Sequence, residues 1–173
     1  IQEMKVRFEA AAGKVKEKSV KRPVALKVIN FHSDYVNCDP AQRDKTIAEM
    51  VDRFVTEAGL IMRLNHENVI KLYDFGKGKD GNLYYAMEFL DGEDLNTSLF
   101  NSGGSLPWPE AKSIIMQVCS ALDAAHNYTD ADTEERRAII HRDIKPANIF
   151  LAKKKDSKGN LTTVVKLLDF GLG

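Results

Sequence analysis

Hydrophobic and polar positions along the chain predict short strands interrupted by two helices. Runs of β-branched and aromatic residues mark the strands, and apolar residues that recur at helical spacing mark the helices. The predicted strands are residues 23–29, 69–75, 83–90 and 164–168, and the predicted helices are residues 40–65 and 111–125. Because strands are concentrated in the first half, and the second half has a helix followed by short strands, the pattern predicts an α+β fold with two lobes.

Turn and cap residues bound these elements. Asp39 and Pro40 are a typical helix start, with the Asp side chain capping and Pro in the first turn. Residues 127–137 are polar and predict a surface loop. Residues 153–160 predict a hairpin loop, and the lysine run at its start is interpreted as a solvated face.

Composition excludes several classes of protein. The 173 residues carry 25 Lys and Arg against 25 Asp and Glu, so bulk charge does not favour a nucleic-acid partner. No apolar run is long enough to predict a membrane segment, and no signal peptide is visible. Cys38 and Cys119 match neither a metal site nor a disulfide framework, which is typical of thiols in a reducing compartment.

Candidate chemistry is concentrated in residues 141–148, which read His-Arg-Asp-Ile-Lys-Pro-Ala-Asn. An Asp-Phe-Gly motif follows at 169–171, across a predicted hairpin, and Val-Ala-Leu-Lys precedes at 24–27. Each motif is short, but all three occur in the expected order and context. Together they resemble the catalytic domain of eukaryotic-like serine/threonine protein kinases. The resemblance covers residues 23–173, and the residues of the motifs are most similar to those of the bacterial branch.

The resemblance implies a two-lobed protein-kinase fold of which the chain holds only a part. Residues 1–89 would form the N-lobe, and residues 90–173 a partial C-lobe that ends at the Asp-Phe-Gly motif. Gly13 is the only glycine before Gly59, so the glycine-rich loop of the family is missing or degenerate. With no activation segment after residue 173, the chain is expected to be a fragment in which Arg142 lacks its usual partner.

The resemblance also implies the catalytic and metal-binding residues. Lys27 would hold the α- and β-phosphates of ATP, and Glu57, preferred over Glu49, would supply its counter-charge. Asp143 would accept or orient the proton of the substrate hydroxyl. Lys145 would neutralise charge on the transferred phosphoryl group. Asn148 and Asp169 would bind Mg²⁺.

An adenine pocket and a stack of core side chains complete the implied site. Met87 would stand at the back of the pocket, and Asp94 would reach the ribose. The other implied pocket residues are Glu88 and Leu90 in the hinge and Ala25 and Phe150 on either side of the adenine ring. The implied stack is Ile61, Leu72, His141 and Phe170.

The function implied is transfer of the γ-phosphoryl group of MgATP to Ser or Thr of a protein substrate in the cytoplasm. The partners would be ATP and that protein, with no nucleic acid. A pseudokinase or a nucleotide-binding signalling scaffold without turnover is the alternative, and the absent glycine-rich loop favours it. The four intact polar residues Lys27, Asp143, Asn148 and Asp169 favour the enzyme. Small-molecule kinases share the fold, but their catalytic loops usually lack the His-Arg-Asp-x-Lys-Pro run.

Overall fold

The computed structural model describes residues 23–29, 40–78, 82–155 and 157–170. Six strands, three α-helices and one 3₁₀ turn are found in this part of the chain. In chain order they are β1 (Val24–Ile29), α1 (Pro40–Arg63), β2 (Leu72–Lys77), β3 (Leu83–Glu88), β4 (Gly92–Asp94), α2 (Leu95–Asn101), α3 (Trp108–His126), the 3₁₀ turn (Pro146–Asn148), β5 (Ile149–Lys155) and β6 (Leu161–Leu167).

The strands form two antiparallel three-stranded sheets. The order is β1-β3-β2 in the first sheet and β4-β5-β6 in the second. The predicted α+β class is confirmed. The division into lobes at residues 1–89 and 90–173 stays a prediction, because residues 1–22 lie outside the described part of the chain.

One buried apolar cluster connects helix α1, both sheets and helix α3. Helix α1 contributes Phe54, Ala58 and Ile61, whose spacing places them on one face of the helix. The helix begins at Pro40, as predicted, whereas the proposed cap Asp39 lies outside the described residues. The core therefore lies where the first sheet, α1 and the second sheet meet.

Helix α3 is only half covered. It buries Ile114, Val118, Ala121 and Ala125 and leaves Ile115 and Met116 exposed. Pro109 lies in its first turn, where a missing amide N–H costs no hydrogen bond. Among the described residues, no helix is both long and apolar enough to cross a membrane.

Several predicted boundaries were wrong, among them the start of β2 and the end of β5. Strand β2 begins at Leu72 instead of residue 69, because the backbone at Asn68 and Ile70 bonds to Leu167 of β6. The lysine run 153–155 was assigned to a hairpin loop, but it forms the end of β5. Lys153–Lys155 pairs with Leu161–Thr163, so antiparallel backbone bonds continue beyond the apolar part of the strand.

Strand β4 and helix α2 were not predicted. The helix is short, and its side chains are mostly exposed, so it lacks a clear apolar period. Asp94 caps it by accepting hydrogen bonds from the amide and the hydroxyl of Thr97, at 2.9 and 2.8 Å. The cap fixes the position of Asp94, which is one of the predicted nucleotide contacts.

The buried end of β6 is expected to be the sensitive part of that strand. Leu167 is fully buried, so Leu167→Ala should lower the free energy of unfolding by about 2–5 kcal/mol. Leu161 begins the same strand and is 69% exposed, so Leu161→Ala is the matched control, with an expected change of about 0.5 kcal/mol or less. Urea titration of both variants measures the difference, and equal losses would contradict this packing.

Candidate active site

The loop between α3 and β5 holds three of the predicted polar residues in one hydrogen-bonded group. Asn148 donates its side-chain N–H groups to the backbone oxygen of Asp143 at 2.9 Å and to its Oδ2 at 3.0 Å. Lys145 Nζ lies 2.7 Å from the same Oδ2. Asn148 is buried at the 3₁₀ turn, whereas Asp143 and Lys145 remain about half exposed. The structure therefore presents the Asp143 carboxylate at the surface in a fixed orientation.

The electrostatics of this group keep Asp143 ionised. The hydrogen bond from Lys145 lowers the pKa of Asp143 most, and the bond from Asn148 lowers it further. Burial acts in the opposite direction but does not prevail. An ionised carboxylate with free solvent access is suited to accept a proton from a hydroxyl group.

His141 fixes the loop that carries Asp143 through two hydrogen bonds. Its Nδ1 accepts the amide N–H of Asp143 at 3.2 Å, so Nε2 carries the proton and donates to the backbone oxygen of Leu168 at 2.7 Å. Burial lowers the pKa of His141, which favours this neutral form. His141 thus joins the Asp143 loop to the segment that carries Asp169, and its role is structural.

Lys27 and Asp169 meet although they are far apart in the sequence. Lys27 Nζ lies 2.6 Å from Asp169 Oδ2, and the hydroxyl of Tyr85 lies 2.5 Å from Asp169 Oδ1. Asp169 adopts a left-handed backbone conformation, with φ at 54°. The backbone N–H of Leu168 bonds to the oxygen of Asn148 at 2.8 Å, which places Asp169 next to the Asp143 loop.

The predicted pair of Lys27 and Glu57 is not formed in this structure, and the role of Glu57 stays a prediction. Glu57 Oε1 accepts from Arg142 at 2.7 Å instead, while Lys27 is paired with Asp169. Arg142 was expected to lack its usual partner, and in this structure its guanidinium is paired with Glu57. The Glu57 carboxylate is neutralised by the Arg142 guanidinium, and the Lys27 ammonium is neutralised by Asp169. Neither Lys27 nor Glu57 therefore needs the other as a counter-charge in this structure.

The predicted adenine-contact residues lie on neighbouring strands. Ala25 of β1 is paired with Met87 of β3, and Phe150 of β5 is paired with Asp94 of β4. All four residues are partly exposed, as the walls of an open cleft would be. Their roles toward a nucleotide stay predictions.

Glu88, which is predicted to lie in the hinge, is fixed by several contacts. Its Oε1 lies 2.6 Å from Lys166 Nζ and accepts the amide N–H of Lys71 at 2.9 Å. Its own amide N–H bonds to the oxygen of Lys71 at 2.9 Å. Leu90 follows it as a partly buried residue packed against the core. The end of strand β3 is therefore held between β2 and β6.

The four side chains of the predicted stack are all buried. Ile61, Leu72, His141 and Phe170 are each less than 5% exposed. The rings of His141 and Phe170 lie 4.6 Å apart between centroids. Phe170 is thus buried next to the catalytic loop, which fixes the chain directly after Asp169.

The oxygen ligands expected for Mg²⁺ are compatible with this arrangement. Asn148 bonds to Asp143 through Nδ2, so its amide oxygen points the other way. Asp169 offers a carboxylate, and no group of three or more His, Cys, Asp or Glu that could hold a metal is found in the described part of the chain. Asn148 and Asp169 would each supply one oxygen ligand, which suits a cation that usually takes only one or two ligands from the protein.

One residue of the site was missed from the sequence. Tyr85 was read only as part of a strand, yet its side chain is 1% exposed and reaches Asp169. The alternation of β3 was the available signal, because it places Tyr85 on the same face as Met87 and on the opposite face from Tyr84.

The other histidines and the cysteines lie outside residues 141–148 of the chain. His66 accepts the amide N–H of Asn68 and is hydrogen-bonded to Ser120. Cys119 is a free, exposed thiol, and Cys38 lies outside the described residues.

Comparison with known proteins agrees with this geometry. The protein kinase domain model matches residues 10–173. The serine/threonine-protein kinase pkn3 of Myxococcus xanthus is 36% identical over 173 residues, which is 95% of this chain and 26% of that protein. PrkC of Bacillus subtilis strain 168 is 34% identical over 151 residues, which is 87% of this chain and 19% of that protein.

A solved structure shows the same fold. The crystal structure of the Mycobacterium tuberculosis PknI kinase domain aligns with a TM-score of 0.62 and 30% identity, over 87% of this chain and 50% of that chain. The fold and site define a protein kinase, and the chain belongs to the protein kinase domain family. Its curated relatives are mostly bacterial serine/threonine kinases, and it spans about a quarter or less of their length.

Proposed function

We propose that this chain supplies the catalytic centre of a bacterial-type serine/threonine protein kinase that uses MgATP. The observation that carries the proposal is the Asp143 carboxylate, held between Lys145 and Asn148 and open to solvent. The family as a whole uses ATP and Mg²⁺, and the relatives named above are serine/threonine kinases. We place the reaction in the cytoplasm, where ATP is available.

The transfer requires one bond to form and one to break. The oxygen of the Ser or Thr hydroxyl bonds to the γ-phosphorus as the bond from that phosphorus to the β,γ-bridging oxygen breaks. Asp143 orients the hydroxyl and takes its proton. Lys145 offsets negative charge on the moving phosphoryl group, which otherwise would lie against an uncompensated carboxylate.

Lys27 and Asp169 are proposed to bind the phosphates and the metal. Lys27 lies close enough to Asp169 for the two side chains to bind the phosphates and the metal of the same nucleotide. Mg²⁺ held by Asn148 and Asp169 would neutralise charge on the phosphate oxygens. Glu57 stays a proposed partner of Lys27, and it would have to exchange Arg142 for Lys27 to take up that role.

Six residues on strands β1, β3, β4 and β5 and in the link between β3 and β4 are proposed to hold the adenosine. They are Ala25, Met87, Glu88, Leu90, Asp94 and Phe150. Two strand pairings support this assignment. Ala25 pairs with Met87 in the sheet that carries Lys27, and Asp94 pairs with Phe150 directly after the loop that carries Asp143 and Asn148.

The acceptor class is tested by identifying the phosphorylated amino acid. The full-length protein is incubated with γ-labelled ATP, Mg²⁺ and a mixed protein substrate, and the products are hydrolysed to amino acids. Label on Ser or Thr is the expected result. Label on Tyr alone would contradict the serine/threonine assignment while leaving kinase activity in place.

Lys145 is expected to set the acidic limit of activity. Because Lys145 lowers the pKa of Asp143, the wild type keeps its carboxylate ionised to a lower pH than a variant without that ammonium. In Lys145→Met the pKa of Asp143 rises, so the acidic limb of the kcat/KM profile should move to higher pH. Lys153→Met, at an exposed lysine of β5, is the control. Profiles that superimpose after scaling would contradict the assignment.

A further inference from the structure

We propose that Tyr85 is a positioning residue for Asp169, whose carboxylate it orients for the metal. Its hydroxyl lies 2.5 Å from Asp169 Oδ1, while Lys27 Nζ lies 2.6 Å from Oδ2. The two oxygens thus have different partners, which fixes the plane of the carboxylate. This inference rests on the proposed function, because it assigns Asp169 to Mg²⁺.

The Tyr85 ring is held rigidly enough to act as such a support. Its side chain is 1% exposed, and the ring stacks on Phe54 of helix α1 with 6.2 Å between centroids and 29° between planes. Lys27 Nζ lies 5.7 Å from the centre of the same ring. The hydroxyl therefore cannot follow Asp169 if the carboxylate turns away.

The Tyr85 hydroxyl is the donor in its contact with Asp169. Burial and the neighbouring Asp169 carboxylate both raise the pKa of Tyr85, so the phenol keeps its proton. A neutral donor has an advantage over Lys27 in this position. Lys27 is proposed to turn to the phosphates of ATP, whereas the Tyr85 hydroxyl would stay hydrogen-bonded to Asp169.

A hydrogen-bond partner of a metal ligand affects metal binding through that ligand. A hydrogen bond to a ligating carboxylate fixes its direction before the metal arrives, and loss of such a partner typically weakens metal binding by about 10–100-fold. A tyrosine that only fills the core would have no such effect, because phenylalanine fills nearly the same volume.

The test compares two neighbouring tyrosines of strand β3. Tyr85→Phe removes the hydroxyl on Asp169 and keeps the ring. Tyr84→Phe makes the same change on the opposite face of the strand, where the hydroxyl meets Asp74 at 3.3 Å. The readout is binding of Mn²⁺ in the presence of ATP, followed by electron paramagnetic resonance on the full-length protein. It needs no turnover.

Tyr85→Phe should raise the Kd for Mn²⁺ by about 10-fold, the lower end of the range for such partners. Tyr84→Phe should leave it within about twofold, because Asp74 is not a proposed ligand. Equal Kd values for Tyr85→Phe and the wild type would overturn this inference alone. A wild type that binds no Mn²⁺ with ATP would overturn the proposed function as well.

A second measurement separates positioning from general damage to the core. Thermal unfolding is recorded without metal or nucleotide for Tyr85→Phe, Asp169→Ala and the double variant. Tyr85→Phe should lower the Tm in the wild-type background, because Asp169 Oδ1 loses its donor. In the Asp169→Ala background the same change should leave the Tm equal or higher, since the hydroxyl has no acceptor there. Equal losses in both backgrounds would overturn the inference.

Discussion

Replacing Asp143 with Asn is expected to abolish phosphoryl transfer and to leave ATP binding in place. Asn has nearly the same shape, so the loop can keep its contact with Asn148, but an amide cannot take the proton of the substrate hydroxyl. The change also removes the charge that faces Lys145 at 2.7 Å. Loss of a general base typically costs about 10²–10⁴-fold in rate. Turnover of Asp143→Asn should therefore fall by a factor in this range or by more.

Transfer and binding are measured side by side on the full-length protein. Asp123→Asn is the matched control, because Asp123 also accepts from a nearby amide, that of Asn127, at 2.8 Å, but lies at the exposed end of helix α3. The control should keep wild-type turnover. Unchanged turnover in Asp143→Asn would remove Asp143 from the mechanism.

Replacing Lys27 with Met is expected to reduce kcat/KM for ATP by at least about 100-fold, which corresponds to about 2.7 kcal/mol of lost transition-state stabilisation. The ammonium is the only cation shown on Asp169 among the described residues, and it is also the group proposed to hold the phosphates. Met retains most of the apolar stem, so strand β1 should keep its pairing with β3.

Lys154→Met is the matched control for this prediction. Lys154 also forms an ion pair, with Glu67 at 2.9 Å, but both side chains are 62% exposed. Exposed pairs contribute little, so stability and kcat/KM should both remain close to the wild type. Equal effects of the two substitutions would show that the loss reflects a general change in charge and not the Lys27 site.

The sequence predicted the parts of the site that are contiguous. Asp143, Lys145 and Asn148 lie within six residues, so their mutual contacts follow from one loop and its 3₁₀ turn. Lys27 was assigned through the Val-Ala-Leu-Lys motif, and its strand was predicted within one residue. The fold class followed from the order of strands and helices.

The contacts between distant segments could not be predicted. Glu57 was expected to face Lys27, but whether it does depends on how helix α1 lies relative to the catalytic loop, which no local pattern encodes. Arg142 adopts φ at 65°, and its guanidinium reaches Glu57. Tyr85 was missed for the same reason, since its partner Asp169 is 84 positions away.

The ion pairs of Lys27 and Glu57 define two competing arrangements of the site. In the structure, Arg142 holds Glu57 and Asp169 holds Lys27. The proposed catalytic arrangement joins Lys27 to Glu57 and frees Asp169 for the metal. The change therefore replaces two ion pairs within the protein by one, with the metal in place of Lys27 at Asp169 and Arg142 released from Glu57.

The most direct test of the central claim follows the γ-phosphate of ATP. The full-length protein is incubated with γ-labelled ATP and a protein acceptor, with and without Mg²⁺, and label on protein is counted. The site described above predicts magnesium-dependent label on the protein for the wild type and none for Asp143→Asn. ATP that is bound but recovered intact would contradict the account and identify a nucleotide-binding scaffold.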